Sequence, residues 1–218
     1  MNPAVPLTLL PALLLVFRAG RVLAGWATGD RVLARLLTPA CALALWLLSV
    51  HVLGLWTQSF WLGLFVGTTL VAALGLGSLF LEPPDEEPGL PLGWGAFLAA
   101  ALAVALLLGM ELRYFVWDEN LITGHLSIPL QMLNGIYPPH HLTFSIYELR
   151  YHYGFDLLNA CVAALLGQPP MRGVVHGVTL ALWGYLALLA WALGQRLIAP
   201  RAGPISAACC LLSGGVPF

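Results

Sequence analysis

Leu36 to Leu81 reads LLTPACALALWLLSVHVLGLWTQSFWLGLFVGTTLVAALGLGSLFL and holds no Asp, Glu, Lys or Arg. A helix needs about 20 apolar residues to cross a bilayer core, so this run is long enough for two crossings. Trp56-Thr57-Gln58-Ser59 interrupts it near the middle and predicts a short polar turn between two spans. Outward from there, Pro88 to Met110 reads as a third span and Gly173 to Gln195 as a fourth. Pro3 to Phe17 is apolar but short and carries three prolines. It is either a span that continues past Arg18 and Arg21 or an interfacial helix. No basic residue precedes it, which argues against a cleaved signal peptide. Leu157 to Met171 is also short, and reads either as a tilted crossing or as a re-entrant helix. Ala202 to Phe218 is apolar, and the closing LLSGGVPF has no polar tail, as expected of the N-terminal part of a longer enzyme.

Composition agrees with this pattern. Only 9% of the 218 residues are charged, against about 25% in soluble domains. The nine basic residues are all arginines, and with a net charge of −1 they form no polybasic arm for nucleic acid. Cys41, Cys161, Cys209 and Cys210 lie in apolar segments without metal-ligand spacing and read as packing residues. No phosphate-cradling glycine loop, HExxH or GxSxG motif is present, and Gly75-Leu76-Gly77 reads as span packing.

Arg18, Arg21, Arg31 and Arg35 read as a loop between the first two apolar segments, which the positive-inside rule places in the cytoplasm. Counting spans onward makes the acidic turn EPPDEEPG (82–89) cytoplasmic and puts 113–155 on the outer face. That segment holds four of the six histidines (His125, His140, His141 and His152) and is rich in Tyr, Phe and Trp. Tyr and Trp favour the headgroup level, so Tyr151 and Tyr153 read as interfacial anchors. Leu121 to Leu133 reads as an amphipathic surface helix, with Ile122, Leu126, Leu130 and Leu133 on one face. Asp118 or Asn120 can cap it, and Asn134-Gly135 can end it.

The segment opens on WDENLITGH (117–125), where two acids crowd the end of a span. Charge there is costly and marks a candidate site, although Asp118 also stands where a helix cap belongs. His125 follows Asp118 by two helical turns and can line the same groove. Further on, LRYHYGFDLLNA (149–160) brings Arg150 and His152 close to Asp156, an acid entering an apolar helix, which is either a functional carboxylate or an N-cap. His140-His141 is a weak metal pattern. His51 reads as interfacial or satisfied by a neighbour.

Asp118-Glu119, the downstream histidine, the NGIYPPHH turn (134–141), the Tyr-His-Tyr-Gly helix entry and the run from Gly167 to Gly203 together resemble GT-C-type integral-membrane glycosyltransferases. This is the class that includes bacterial lipid-A aminoarabinose and protein mannosyl transferases. The likeness covers 110–218, and two more spans precede the acid motif here. The resemblance implies Asp118 and Glu119 as catalytic residues and a sugar donor on a polyprenyl phosphate. The expected home is a bacterial plasma membrane. Arg113, His125, Arg150, His152 and Asp156 are then the candidates for holding substrate, and a divalent metal ion would be one way to offset phosphate charge.

The expected fold is therefore all-α, a polytopic transmembrane bundle of about six or seven apolar segments. Residues 1–112 would form N-terminal spans, 113–155 an outer loop with a juxtamembrane helix, and 156–218 further spans. The expected function is transfer of a sugar from a lipid-linked donor at the outer membrane face. The alternative is a non-enzymatic polytopic protein, a transporter half or a scaffold. A transporter should carry ionisable groups near mid-span, and only Asp156 and His176 come close.

Overall fold

The structure is a computed structural model and describes residues 4–80, 101, 105, 126–140, 153–167 and 172–213. Every regular element among them is a helix: α1 (Ala4–Thr28), α2 (Arg31–Thr57), α3 (Phe60–Ser78), α4 (Ser127–Leu133), α5 (Gly154–Leu166), α6 (Arg172–Leu197) and α7 (Gly203–Ser213). Three of these, α2, α3 and the Gly177–Leu197 part of α6, are long and apolar enough to cross a membrane. The chain divides into two compact units, Met1–Pro88 with Trp117–Val175 and Gly89–Val116 with His176–Phe218. The expected third span, 88–110, lies almost wholly outside the described residues.

In the first unit α1, α2 and α3 pack side by side. Helix α1 is continuous through Arg18 and Arg21, so the apolar N-terminal run belongs to a 25-residue helix. The arginine loop of the sequence reading is thereby corrected. Arg18 and Arg21 lie in α1, Arg31 and Arg35 in α2, and only Gly29-Asp30 separates the two helices. Gly29 takes a left-handed φ of +62° to end α1. The Asp30 carboxylate then accepts from the N–H groups of Val32 at 2.9 Å and Leu33 at 3.0 Å, capping α2. Across the bundle Arg18 Nε donates to Ser78 Oγ at 3.0 Å, which brings the end of α3 level with the arginines. The break between α2 and α3 falls where the polar tetrad predicts, with Gln58 left-handed at φ 52° and Ser59 as N-cap of α3.

The packing is that of a bilayer protein. On α2 every buried position but Leu36 lies on one row, 34, 38, 42, 46, 50 and 54, that recurs every four residues. On α3 the buried set is Phe60, Gly63, Leu64, Gly67, Thr68, Val71, Ala72, Gly75 and Ser78. The inward face of α3 is thus rich in Gly, Thr and Ser, while Leu62, Val66, Leu70 and Leu74 are exposed. Water would favour the reverse. In lipid, tails are as apolar as leucine, and association comes from close backbone approach between small residues. Hydroxyls inside the spans are satisfied locally, as a medium without water demands. Thr38, Ser49 and Thr69 each bond back to the carbonyl four residues earlier, at 2.8 Å. Trp46 Nε1 donates to Thr68 Oγ1 at 2.8 Å, an inter-span bond buried in the bundle.

In the second unit the start of α7 lies against the end of α6. Ile198 and Ala199 N–H both bond to Gly194 O, and a side chain at Gly194 or Gly203 would collide with Ser206 or with Gln195 and Trp191.

The arginines and the end of α3 gather at one end of α1–α3, and the α2–α3 turn lies at the other. Helix α4 is attached at the latter end, where Trp61 Nε1 donates to Leu133 O at 3.1 Å. The positive-inside rule predicts that this is the outer end. With the four native cysteines replaced, Asn134→Cys, exposed after α4, is expected to react with an impermeant thiol reagent in spheroplasts. Ala27→Cys, exposed near the arginines, is expected to react only after lysis. The opposite pattern would reverse the orientation.

Candidate functional site

The described helix α4 begins at Ser127, with Leu126 in a turn and no side-chain cap. Residues 121–125, and with them the expected start, lie outside the described residues. Pro129 explains why the observed helix starts here. Proline has no N–H and tolerates only the first turn, and a start at Ser127 puts Pro129 third. The helix buries one face against the protein. Ser127, Ile128, Pro129 and Met132 are buried, whereas Leu130 is exposed. The end is as the sequence predicts: Asn134 closes the helix and Gly135 turns the chain at φ +90°.

The segment after α4 is tied back to it. Gln131 Nε2 donates to His140 O at 3.2 Å, and His140 N donates to Gln131 Oε1 at 2.9 Å. This doubly bonded loop directs Tyr137 inward, 4% exposed, and the buried Pro138 and Pro139 have no N–H to satisfy. The Tyr137 ring lies against the backbone of Gly54, where an added methyl would come within 2.6 Å of Cε1. His51, one helical turn earlier on α2, meets the Tyr137 hydroxyl through Nδ1 at 2.7 Å. Tyr153 closes the group edge-on, with ring centroids 5.5 Å from His51 and 6.4 Å from Tyr137. Phe60 lies 6.4 Å from Tyr137. Burial, with Tyr153 beside it, holds the Tyr137 phenol far above its usual ionisation range, so it stays a neutral hydroxyl.

Tyr153 is therefore not the interfacial anchor its sequence context suggests. It is 9% exposed and leads directly into α5. The N-cap reading of Asp156 is also corrected: Tyr153 holds the cap position, and Asp156 is the third residue of the helix. Asp156 and Asn159, three residues apart and so on one helix face, are both 0% exposed. Asn159 Nδ2 donates back to Phe155 O at 3.0 Å, and among the described residues no hydrogen bond reaches its Oδ1. Helix α5 has 13 residues, about 20 Å at 1.5 Å per residue, and cannot by itself cross a core of about 30 Å. Gly167 ends it at φ +63°.

Of the candidates named from sequence, Asp156 alone is described. Arg113, Asp118, Glu119, His125, Arg150 and His152 lie outside the described residues, as does His141. His140 is placed by its backbone bonds to Gln131. Among the described residues no three His, Cys, Asp or Glu side chains converge as a metal site. The sequence reading missed Tyr137 and Asn159. The available signal was His51, a lone imidazole in a charge-free span, which calls for a polar partner. No protein-family model, no curated protein and no solved structure matches the chain.

Proposed function

We propose that the protein is a membrane-embedded glycosyltransferase, or the N-terminal part of one, that moves a sugar from a polyprenyl-phosphate donor to an acceptor hydroxyl at the outer face. The supporting observation is the complete burial of Asp156 at the end of the first unit opposite the arginines. An acid inside a membrane protein is costly and marks a working site. His51, Tyr137 and Tyr153 lie at that same end, and the arginines lie at the other. Helix α3 carries no ionisable side chain, and beyond its first two turns α2 carries only the Cys41 thiol and His51. A surface-acting enzyme needs this distribution, whereas a conducting path needs polar groups along the span.

In the proposed reaction the acceptor oxygen attacks the anomeric carbon. The bond from that carbon to the phosphate oxygen breaks, and polyprenyl phosphate leaves with the electron pair. Asp118 or Glu119 takes the acceptor's proton, while Arg113, Arg150 and His152 offset the phosphate charge. In proteoliposomes holding a polyprenyl-phosphate-linked sugar and a hydroxyl acceptor, the expected result is glycosylated acceptor and polyprenyl phosphate in equal amounts. Neither product appearing, for any sugar of a broad panel, would overturn the proposal.

A further inference from the structure

His51 is held on one edge only. Its Nδ1 meets the Tyr137 hydroxyl at 2.7 Å, and two edge-on ring contacts, to Tyr137 and Tyr153, prevent the imidazole from turning. Among the described residues nothing bonds to Nε2. The residue is half-buried, so this second nitrogen is within reach of the surroundings. Its depth follows from the helix. Trp56, 83% exposed, marks the interfacial level near the end of α2, and His51 lies five residues, about 7.5 Å, below it. That is the rim of the hydrocarbon, just under the lipid phosphates. Nearby side chains on that face, Leu48, Val52 and Leu55, are exposed and apolar. They can lie along a lipid chain and offer the imidazole no partner.

We infer that His51 Nε2–H donates a hydrogen bond to the phosphate of a lipid in the outer leaflet, with Tyr137 as the positioning residue that fixes the ring. The phenol stays protonated, so its hydroxyl can donate into Nδ1. In that tautomer the neutral ring carries its hydrogen on Nε2, and a protonated ring has a hydrogen there in either case. The shared chemistry is a phosphate oxygen at the end of an apolar chain. Its assignment to a polyprenyl phosphate rests on the glycosyl-transfer reading.

The side-chain amides allow the two edges of the ring to be tested separately. In His51→Asn the amide lies near the place of Nδ1 and keeps a partner for Tyr137. In His51→Gln it reaches the place of Nε2 and keeps the outward donor. The full chain in phosphatidylcholine nanodiscs is titrated with a short-chain polyprenyl monophosphate, and thermal unfolding is followed on the same samples. Wild type is expected to bind. His51→Asn is expected to bind about 10- to 100-fold more weakly, the range for losing one hydrogen bond to a charged group, with unfolding unchanged. His51→Gln is expected to retain most of the affinity and to unfold earlier.

Wild-type affinity in His51→Asn would overturn the inference. So would equal losses in both variants that track unfolding, which would make His51 only structural. Equal competition by inorganic phosphate would show that no lipid chain is recognised, and equal competition by phosphatidylglycerol would show that no polyprenyl donor is. Either result would overturn the assignment. Sugar transfer is not measured, so a chain that binds the lipid yet transfers nothing separates failure of the proposed function from failure of this inference.

Discussion

Asp118→Asn is expected to lower sugar transfer by about 10²–10⁴-fold, the usual loss when a general base is removed, without lowering the amount of protein in the membrane. The substitution separates two roles open to this residue. Asn caps a helix about as well as Asp, so a capping role predicts normal accumulation and normal transfer. An amide cannot accept the acceptor's proton, so a catalytic role predicts normal accumulation with little transfer. Glu119→Gln is the companion, and the larger loss of the two identifies the base. Initial rates at saturating donor, normalised to the protein in the membrane, decide the matter. Wild-type rates in Asp118→Asn would leave Asp118 as a cap and return the catalytic question to Glu119 and Asp156.

The second large effect lies in the packing of α2 on α3, where one substitution should act with opposite signs at two places on the same helix. A methyl at Gly63 would sit 2.6 Å from Val50 O and 2.7 and 2.8 Å from the N and Cα of Gly54. These are backbone atoms, and no rotamer change relieves the clash. Gly63→Ala must therefore push the two helices apart, at about 1–3 kcal/mol for overpacking. A methyl at Gly77 would meet nothing within 4 Å. Gly77→Ala removes only the backbone freedom of glycine and is expected to be neutral or stabilising, by up to about 1 kcal/mol. Unfolding of both variants in one lipid mixture tests the contrast, and equal shifts would refute it. Gly63→Ala should also reach the outer site, because Gly54 carries α3 on one side and the Tyr137 ring on another.

The same contrast shows what the sequence can and cannot reveal. Gly75 and Gly77 look alike as span glycines. Yet Gly75 meets the backbone of Leu15, and Gly77 meets open space. Only the rotation of the helix separates them, and a helix this uniformly apolar carries almost no periodic signal of its rotation. The α2–α3 break was legible because a charge-free run and a polar turn are local features. The path of α1 through Arg18 and Arg21 was legible only as one of two alternatives, since what accommodates Arg18 is Ser78, 60 residues away. The expected start of α4 at Leu121 lies outside the described residues, and leucine spacing alone does not register Pro129 in the first turn of the helix that is described. Asp156 was legible as a candidate, since an acid in an apolar helix stands out. Tyr153 reads as interfacial because tyrosine often is, and Tyr137 has no local mark that sets it apart from the other aromatics of its segment. Their burial depends on His51 and Gly54, far off in the chain.

The bond between His51 and Tyr137 joins residues 86 apart. A ribosome adding about 5–20 residues per second takes about 4–17 s to make that stretch. Within this interval α3 is added to α1 and α2 through a two-residue turn, and the imidazole stands at the membrane edge before its phenol has been synthesised. The three-helix unit therefore has to persist in the bilayer as an assembly intermediate, with water or a headgroup serving the ring. A site six residues from the end of α2 allows that interim solution. A histidine at the buried depth of Ala42 would have had no partner to wait with.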